Sequence, residues 1–130
     1  MTAYRWLKRE TVDTLHERQL AQHGGGSGLR DESLLLSALV APETLAYYSG
    51  TEVDIFSVAA RYATGIVGNH PYVDGNKRTG FLAAALFLQL NGYRFQATES
   101  DVVERTLALA SGSIGADEYA EWLRANSVRR

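Results

Sequence analysis

The chain has 130 residues and a mass of 14.3 kDa, which corresponds to one domain with its own hydrophobic core. Thirteen Lys and Arg against fifteen Asp and Glu give a formal net charge of -2, without the basic excess that sequence-nonspecific DNA or RNA binding requires. The absence of cysteine excludes disulfide scaffolds, thiolate zinc sites and cysteine nucleophiles. We expect a single domain over residues 1–130 and, by default, a cytoplasmic location.

The sequence predicts neither a membrane span nor an exported chain. Its longest uncharged stretch, Thr79 to Tyr93, contains Gln89 and Asn91 and falls short of the roughly 20 apolar residues that span a bilayer. Near the N-terminus, charged residues interrupt every apolar run before a signal-peptide core of about seven residues can form. We therefore expect a soluble protein with no membrane partner.

Two helices are predicted in the first part of the chain. The first covers about Thr11 to Gln22 and ends at the glycine cluster of residues 24–28. Asp31 is expected to cap a short second helix, which should stop before Pro42 because the residue preceding proline avoids the helical region. Residues 43–53 are then expected to form a surface loop.

Two strongly apolar helices are predicted next. Asp54 is a good cap for a helix with apolar residues at spacings of three and four, and Gly68 or Asn69 can provide its left-handed end. The following helix runs from about Gly75 to Leu90, and nine of its ten residues between 81 and 90 are apolar. A helix that is apolar all round belongs in the middle of a bundle, so we expect it to be the central helix.

The last part of the chain predicts one short strand and two helices. Tyr93–Phe95 has strand character, Thr98 starts a helix to about Ala110, and Asp117 to Arg124 forms the last helix. Residues 127–130 are expected to fray. The predicted fold class is all-α, a compact bundle of about six helices around a buried central helix with at most a short β element.

The segment His70-Pro-Tyr-Val-Asp-Gly-Asn-Lys-Arg78 predicts an anion site. Lys77 and Arg78 fall in the first turn of the most apolar helix, where the helix dipole favours acids, so their placement costs stability unless an anion binds there. The unhindered backbone of Gly75, the amide of Asn76 and the free N–H groups of the helix terminus suit phosphate groups. In the alternative interpretation, both cations extend into solvent or pair with nearby acids.

Two further residues of this segment predict catalysis. A neutral His70 imidazole above the anion would take the proton of a hydroxyl that attacks phosphorus, a contribution of about 10² to 10⁴ in rate. Asp74 adds an oxygen ligand that suits Mg²⁺ beside the phosphates. Alone, His70 would be interpreted as a loop anchor and Asp74 as a helix cap, but their combination with a glycine turn and two cations favours phosphate chemistry.

Other candidates carry weaker signals. The glycine cluster 24–28 lacks the G-x-x-x-x-G-K-[ST] spacing of a phosphate loop, so it is interpreted as a helix-ending turn without chemistry. His16 is interpreted as an ordinary helix residue and His23 as a helix end. Tyr47 and Tyr48, in the expected loop, are candidate contacts with a target protein.

The segment from His70 to Arg78 resembles the signature of the Fic/Doc superfamily, and the chain resembles its compact Doc-like, death-on-curing branch over most of residues 4–125. The resemblance implies a role for each matching position: His70 as general base, Asp74 as the Mg²⁺ ligand, Gly75 and Asn76 as the lining of the anion hole, and Lys77 and Arg78 as ligands of the nucleotide phosphates.

The resemblance also implies an ATP-dependent phosphoryl transfer. Lys77 stands where AMP-transferring Fic enzymes usually have glycine. In Doc-like proteins, which have this lysine, the resemblance implies that ATP binds in the reverse orientation and that its γ-phosphoryl group is transferred. The implied acceptor is a Ser or Thr hydroxyl of translation elongation factor Tu, with growth arrest as the outcome. Gly75, where prototype Doc toxins have alanine, is the residue of the AMP-transferring branch, so AMP transfer is the alternative.

An inhibitory partner is implied as well. An autoinhibitory [ST]-x-x-x-E-[GN] motif is missing, because the matching spacing from Ser100 to Glu104 is followed by Arg105. The expected inhibitor is a separate Phd-like antitoxin whose C-terminal segment covers the cleft as a helix in a groove. Two further rivals remain, a non-catalytic interaction module and a DNA-binding regulator, and the latter is disfavoured by the net charge.

Overall fold

Six α-helices and one small antiparallel sheet make up residues 3–130, the part of the chain that the computed structural model describes. In chain order the elements are α1 (Arg9–His23), α2 (Glu32–Ser49), a 3-10 helix (Gly50–Glu52), α3 (Ile55–Asn69), α4 (Asn76–Leu90), β1 (Tyr93–Phe95), α5 (Glu99–Ser111), α6 (Ala116–Ala125) and β2 (Ser127–Arg129). The predicted all-α class and the number of helices are confirmed.

The centre of the bundle is α3 and not α4, so the predicted position of α4 is wrong. α3 packs against α2, α4, α5 and α6, and eight of its residues are buried. α4 lies beside it, and its apolar surface is divided among contacts with α1, α3, α5 and β1. Its last turn reaches solvent, where Leu90 is 40% exposed. A helix that is apolar all round can therefore be covered by several small contacts without being central.

The second helix does not stop before Pro42, and the predicted loop over residues 43–53 is wrong. α2 continues through Pro42 to Ser49, and the 3-10 helix follows directly. Proline inside a helix removes one backbone hydrogen bond, but Pro42 is fully buried and Ala46, one turn later, packs against the core. Burial of this helix face offsets the missing bond.

The predicted fraying of residues 127–130 is also wrong. Ser127–Arg129 pairs with Tyr93–Phe95 in antiparallel register, with Arg94 opposite Val128. Backbone bonds from Gln96 N–H to the Asn126 carbonyl and from Arg130 N–H to the Gly92 carbonyl extend the ladder at both ends. The predicted strand at Tyr93–Phe95 is confirmed, and its partner comes from the end of the described chain.

The predicted helix caps are mostly confirmed. Asp31, Asp54 and Thr98 each accept a hydrogen bond from the backbone N–H three residues ahead, as helix N-caps do. The left-handed end of α3, however, is His70 instead of Gly68 or Asn69.

Within residues 3–130, every helix is too short or too polar to cross a bilayer.

Candidate active site

The six predicted site residues line one cavity of 280 Å³ at the junction of α3 and α4: His70, Asp74, Gly75, Asn76, Lys77 and Arg78. The same cavity is also lined by apolar side chains, Phe81 of α4 and Val102, Val103 and Leu107 of α5, and by Thr106 of α5. The bundle thus brings a polar loop and a helix N-terminus together with a largely apolar part of α5.

His70 ends α3 in a conformation that is uncommon for a residue with a side chain. Its φ of 53° and ψ of 55° are left-handed, and such a conformation costs energy in any residue but glycine. The Arg30 guanidinium binds the carbonyls there, with Nε donating to His70 O at 2.7 Å and Nη2 to Asn69 O at 2.9 Å. Arg30 therefore holds the helix end from which the exposed His70 side chain projects.

The loop that follows α1 also holds the segment between α3 and α4. The backbone N–H groups of Arg30 and Asp31 both donate to the Pro71 carbonyl, at 2.7 and 3.0 Å, and Val73 N–H donates to the Gly28 carbonyl at 3.0 Å. The glycine cluster 24–28, to which the sequence assigned no chemistry, ends α1 as predicted and also helps to fix the candidate site.

Asp74 presents an exposed carboxylate that is held by two backbone groups. Gly26 N–H donates to its Oδ2 at 3.3 Å and Gly75 N–H to its Oδ1 at 2.9 Å. These hydrogen bonds, with that of Gly26 as the larger effect, lower the pKa of Asp74, so the carboxylate is ionised at neutral pH.

The surroundings of Asp74 fit a magnesium ion that is shared with a substrate. Residues 3–130 contain no group of three or more His, Asp or Glu side chains that could hold a metal by themselves. Mg²⁺ is commonly bound by one or two carboxylates together with substrate phosphates and water. Each Asp74 oxygen accepts one backbone hydrogen bond and keeps capacity for a second contact.

The Asn76 side chain closes the loop on itself. It is 3% exposed, its Oδ1 accepts a hydrogen bond from Tyr72 N–H and its Nδ2 donates to the Tyr72 carbonyl, both at 2.9 Å. The side-chain oxygen and one of the two amide N–H donors are therefore engaged within the loop, and the backbone N–H of Asn76 is a further donor at the start of α4.

Tyr72 and His16 form a buried support beneath Asp74. The Tyr72 hydroxyl donates to Asp13 at 2.8 Å, and burial, followed by this hydrogen bond, raises the pKa of Tyr72. The His16 ring stacks on Tyr72 with centroids 3.8 Å apart, and its Nε2 lies 2.8 Å from the Asp74 carbonyl, to which it donates. His16 is thus more than the ordinary helix residue predicted, whereas His23 is the helix end that was predicted.

Gly75 joins the loop to α4 in a left-handed conformation, with φ of 79° and ψ of 14°. A Cβ built here would lie 1.9 Å from Nε2 of Gln19, a buried residue of α1. Both the backbone conformation and the available space therefore favour glycine at this position.

The two cations differ in their partners. Lys77 is exposed and has no ion-pair partner among the described residues, but its positive charge helps to lower the pKa of Asp74. Arg78 donates from Nη1 to Glu99 Oε1 at 3.0 Å, at the start of α5. The N–H groups of residues 76–78 open α4 and have no acceptor within the helix, so this terminus offers charge and donors together.

Tyr47 and Tyr48, the predicted target contacts, lie on the last turns of α2 and are 73% and 81% exposed. They line a separate groove of 740 Å³, together with Tyr4 and Trp6, and none of the six predicted site residues lines that groove.

Three residues at or near the candidate site were not predicted from the sequence: Arg30, His16 and Gln19. The sequence signal for His16 and Gln19 is a polar residue among the apolar residues of one helix face, and the signal for Arg30 is its position beside a glycine cluster.

The chain is similar in sequence to known proteins over most of its length. A protein named protein kinase doc, from Escherichia phage P1, is 29% identical over 121 residues, which cover 92% of this chain and 94% of that protein. A protein named toxin Doc, from Mycolicibacterium smegmatis, is 37% identical over 97 residues, which cover 75% of this chain and 71% of that protein. The sequence profile of the Fic/DOC family matches residues 6–88. With more than half of its length matched, including the loop that bears His70 and Asp74, the chain belongs to the Fic/DOC family.

Proposed function

We propose that this protein is the toxin of a toxin-antitoxin pair and that it phosphorylates a Ser or Thr hydroxyl of translation elongation factor Tu, using Mg-ATP, in the cytoplasm. The observation that carries the proposal is the arrangement of His70, Asp74 and the first turn of α4 around one cavity. The names of the two relatives, a protein kinase and a toxin, support the same activity.

The nucleotide phosphates would bind at the start of α4. The free N–H groups of residues 76–78 and the helix dipole attract anions, and Lys77 and Arg78 add two positive charges. Asp74 would hold Mg²⁺ against these phosphates, and a bound Mg²⁺ would neutralise charge on the phosphate oxygens. The chain itself would contribute the position of the phosphates and most of the electrostatic stabilisation.

His70 would act as the general base. Its imidazole takes the proton of the target hydroxyl while the hydroxyl oxygen forms a bond to the γ-phosphorus of ATP. The bond between the γ-phosphorus and the bridging oxygen of the β-phosphate breaks, and ADP leaves. The products are a phosphoprotein, ADP and a proton that His70 releases to solvent, because the side chain is exposed.

AMP transfer is the second candidate, and Gly75 favours it. The hydroxyl oxygen would then attack the α-phosphorus, and pyrophosphate would leave in place of ADP. Lys77, at the position where AMP-transferring relatives usually have glycine, favours phosphoryl transfer instead.

Intact-mass analysis of purified elongation factor Tu, incubated with the protein and Mg-ATP, distinguishes these reactions. A gain of about 80 Da indicates phosphorylation and a gain of about 329 Da indicates AMP transfer, as the mass of the transferred group requires. The same incubation is repeated with a cell lysate. A mass shift that appears only on another protein of the lysate would identify that protein as the target instead of elongation factor Tu. No shift on any lysate protein would refute both reactions and favour a non-catalytic interaction module.

A Phd-like antitoxin is the proposed inhibitor, with its C-terminal segment over the cavity. The apolar wall supports this, since Val103 and Leu107 of α5 are 41% and 51% exposed at the cavity rim, as a groove for an amphipathic helix requires. The test is to add the C-terminal peptide of a Phd-like antitoxin, taken from a neighbouring reading frame if one encodes such a protein. The peptide should stop the transfer reaction, and Leu107→Ala, which adds no charge to the cavity rim, should weaken the inhibition more than it lowers the uninhibited rate.

A further inference from the structure

We infer that Gln19 of α1 is a phosphate-binding residue whose side-chain amide donates a hydrogen bond to the phosphoryl group at the start of α4. The inference rests on the proposed function for the identity of the ligand, because it assumes that a phosphate-bearing substrate enters this cavity. It adds a residue from outside the loop and helix that contain the other predicted site residues.

The first observation is that the Gln19 amide is buried without a partner. Gln19 is 4% exposed, and its Nε2 makes no hydrogen bond to any residue in the described part of the chain. A buried donor that loses water without gaining a partner destabilises a protein, so such groups in native structures call for an explanation. A ligand that supplies the acceptor would provide one.

The second observation is the position of this amide in the candidate site. Gln19 lines the same cavity as His70, Lys77 and Arg78. Its Nε2 lies against Gly75, the residue directly before the free N–H groups of α4. Nε2 itself is enclosed by protein atoms in the ligand-free chain, so a rotation of the Gln19 side-chain amide would bring this unpartnered donor to a phosphate oxygen bound at the terminus.

The contact with Gln19 also helps to explain why position 75 is a glycine. An alanine Cβ at position 75 would lie 1.9 Å from Gln19 Nε2 and would displace the buried amide. Gly75 and Gln19 thus act as a pair, in which the missing side chain of one makes room for the amide of the other. The positive φ of Gly75 and the nearby Gln19 amide both favour glycine at this position.

The test replaces the amide by an apolar group of similar length, Gln19→Met, and measures the affinity for Mg-ATP and for pyrophosphate by calorimetry. We expect both affinities to fall about tenfold or more, because a hydrogen bond to a charged group is lost. We also expect an equal or higher melting temperature for the ligand-free protein, because an unpaired buried polar group is removed. Gln22→Met, an exposed residue of the same helix, is the matched control and should change neither quantity.

The outcomes separate this inference from the proposed function. Unchanged affinities in Gln19→Met would overturn the inference alone. Pyrophosphate binding that weakens in Gln19→Met, without phosphoryl or AMP transfer by the wild-type protein, would support the inference and reject the proposed function. Wild-type protein that binds neither probe would overturn both.

A second measurement does not depend on folding of the variant. In the wild-type protein, the side-chain NH₂ resonances of Gln19 should shift downfield when pyrophosphate is added, because a charged acceptor approaches them. Resonances that stay unchanged at saturating pyrophosphate would overturn the inference.

Discussion

The His70 imidazole is exposed and makes no hydrogen bond to another described residue, so it can be removed without disturbing the packing. We expect His70→Ala to reduce the rate of phosphoryl transfer by about 10² to 10⁴, as loss of a general base does. Stability should change by less than about 0.5 kcal/mol, as for most surface substitutions. Transfer rate is followed by the intact mass of the target, and stability by thermal unfolding.

His23→Ala is the matched control for this prediction. His23 is exposed at the end of α1 and is not among the residues that line the cavity, so its removal should leave the transfer rate unchanged. Full transfer activity in His70→Ala would instead exclude His70 as the base.

Arg78 is already paired with an acid, and this pairing competes with phosphate. Glu99 accepts its hydrogen bond at 3.0 Å, and the two side chains are 32% and 70% exposed. We expect Glu99→Gln to raise the affinity for Mg-ATP about two- to fivefold, which corresponds to the worth of an exposed ion pair.

The effect of Glu99→Gln should be largest at low ionic strength, because salt screens exposed charges. Glu104→Gln, an exposed acid of the same helix that has no ion pair among the described residues, is the control and should have a smaller effect. Equal affinities for Glu99→Gln and wild type at low salt would show that Glu99 does not compete with the nucleotide.

At the scale of elements, the end of α3 depends on the loop that follows α1. Arg30 binds the carbonyls of Asn69 and His70, and it is not one of the residues that line the cavity. It is therefore a positioning residue, which acts on His70 through the backbone of the helix end.

We expect Arg30→Ala to lower kcat about tenfold with little change in the KM for ATP. The reason is that the base would lose its fixed position, and an error of about 1 Å can cost up to 10²-fold, whereas the phosphate site on α4 would stay intact. Steady-state kinetics measures both constants, and Arg30→Lys should recover part of kcat because it keeps one charged donor. An increase in KM with an unchanged kcat would contradict the positioning role.

Helix boundaries illustrate which elements the sequence can predict. Asp54 and Thr98 were predicted as caps from residue type and local spacing, and both make the cap hydrogen bond. Pro42 carries a local signal for a helix end, but burial of α2 against the core overrides it. Pairing of Ser127–Arg129 with β1 has no local signal, because its partner strand lies about thirty residues earlier.

At the scale of the whole molecule, acid should destabilise the protein, and three carboxylates whose pKa values are lowered by folding contribute to this effect. The pKa of Asp31 is lowered mainly by a hydrogen bond from the side chain of Ser33, and the pKa of Asp74 mainly by a hydrogen bond from the Gly26 N–H. For Asp54 burial acts in the opposite direction, but the Ser57 N–H and the Arg124 guanidinium outweigh it.

The sign of the pH dependence follows from these directions. A carboxylate with a lowered folded-state pKa contributes its full stabilisation above the unfolded value of about 4, and this contribution is lost as the pH falls through the folded value. We expect the free energy of unfolding attributable to these groups to be constant above about pH 5 and to decrease at lower pH. Urea unfolding between pH 7 and pH 2.5 measures it.

Asp31→Asn tests the origin of this acid sensitivity. Asparagine keeps a cap for α2 but does not titrate, so the decrease at low pH should be smaller in the variant than in wild type. An unfolding free energy that does not fall between pH 5 and pH 2.5 would contradict the assignment.

The sequence by itself determined the family, the helical class and a nine-residue segment with a histidine, an acid, a glycine and two cations. These features depend on residue types at short spacing, since caps, turns and helix termini are formed by neighbours in the chain. The cations at the start of α4 could be recognised because they stand against the helix dipole within the same few residues.

Tertiary structure alone decided what surrounds that segment. Arg30 reaches His70 across 40 residues, and His16 reaches the Asp74 carbonyl across 58. Gln19 meets Gly75 by the same packing of α1 beside α4. Such partners have no fixed spacing to the residues they contact, because the packing of helices and not the local backbone brings them together.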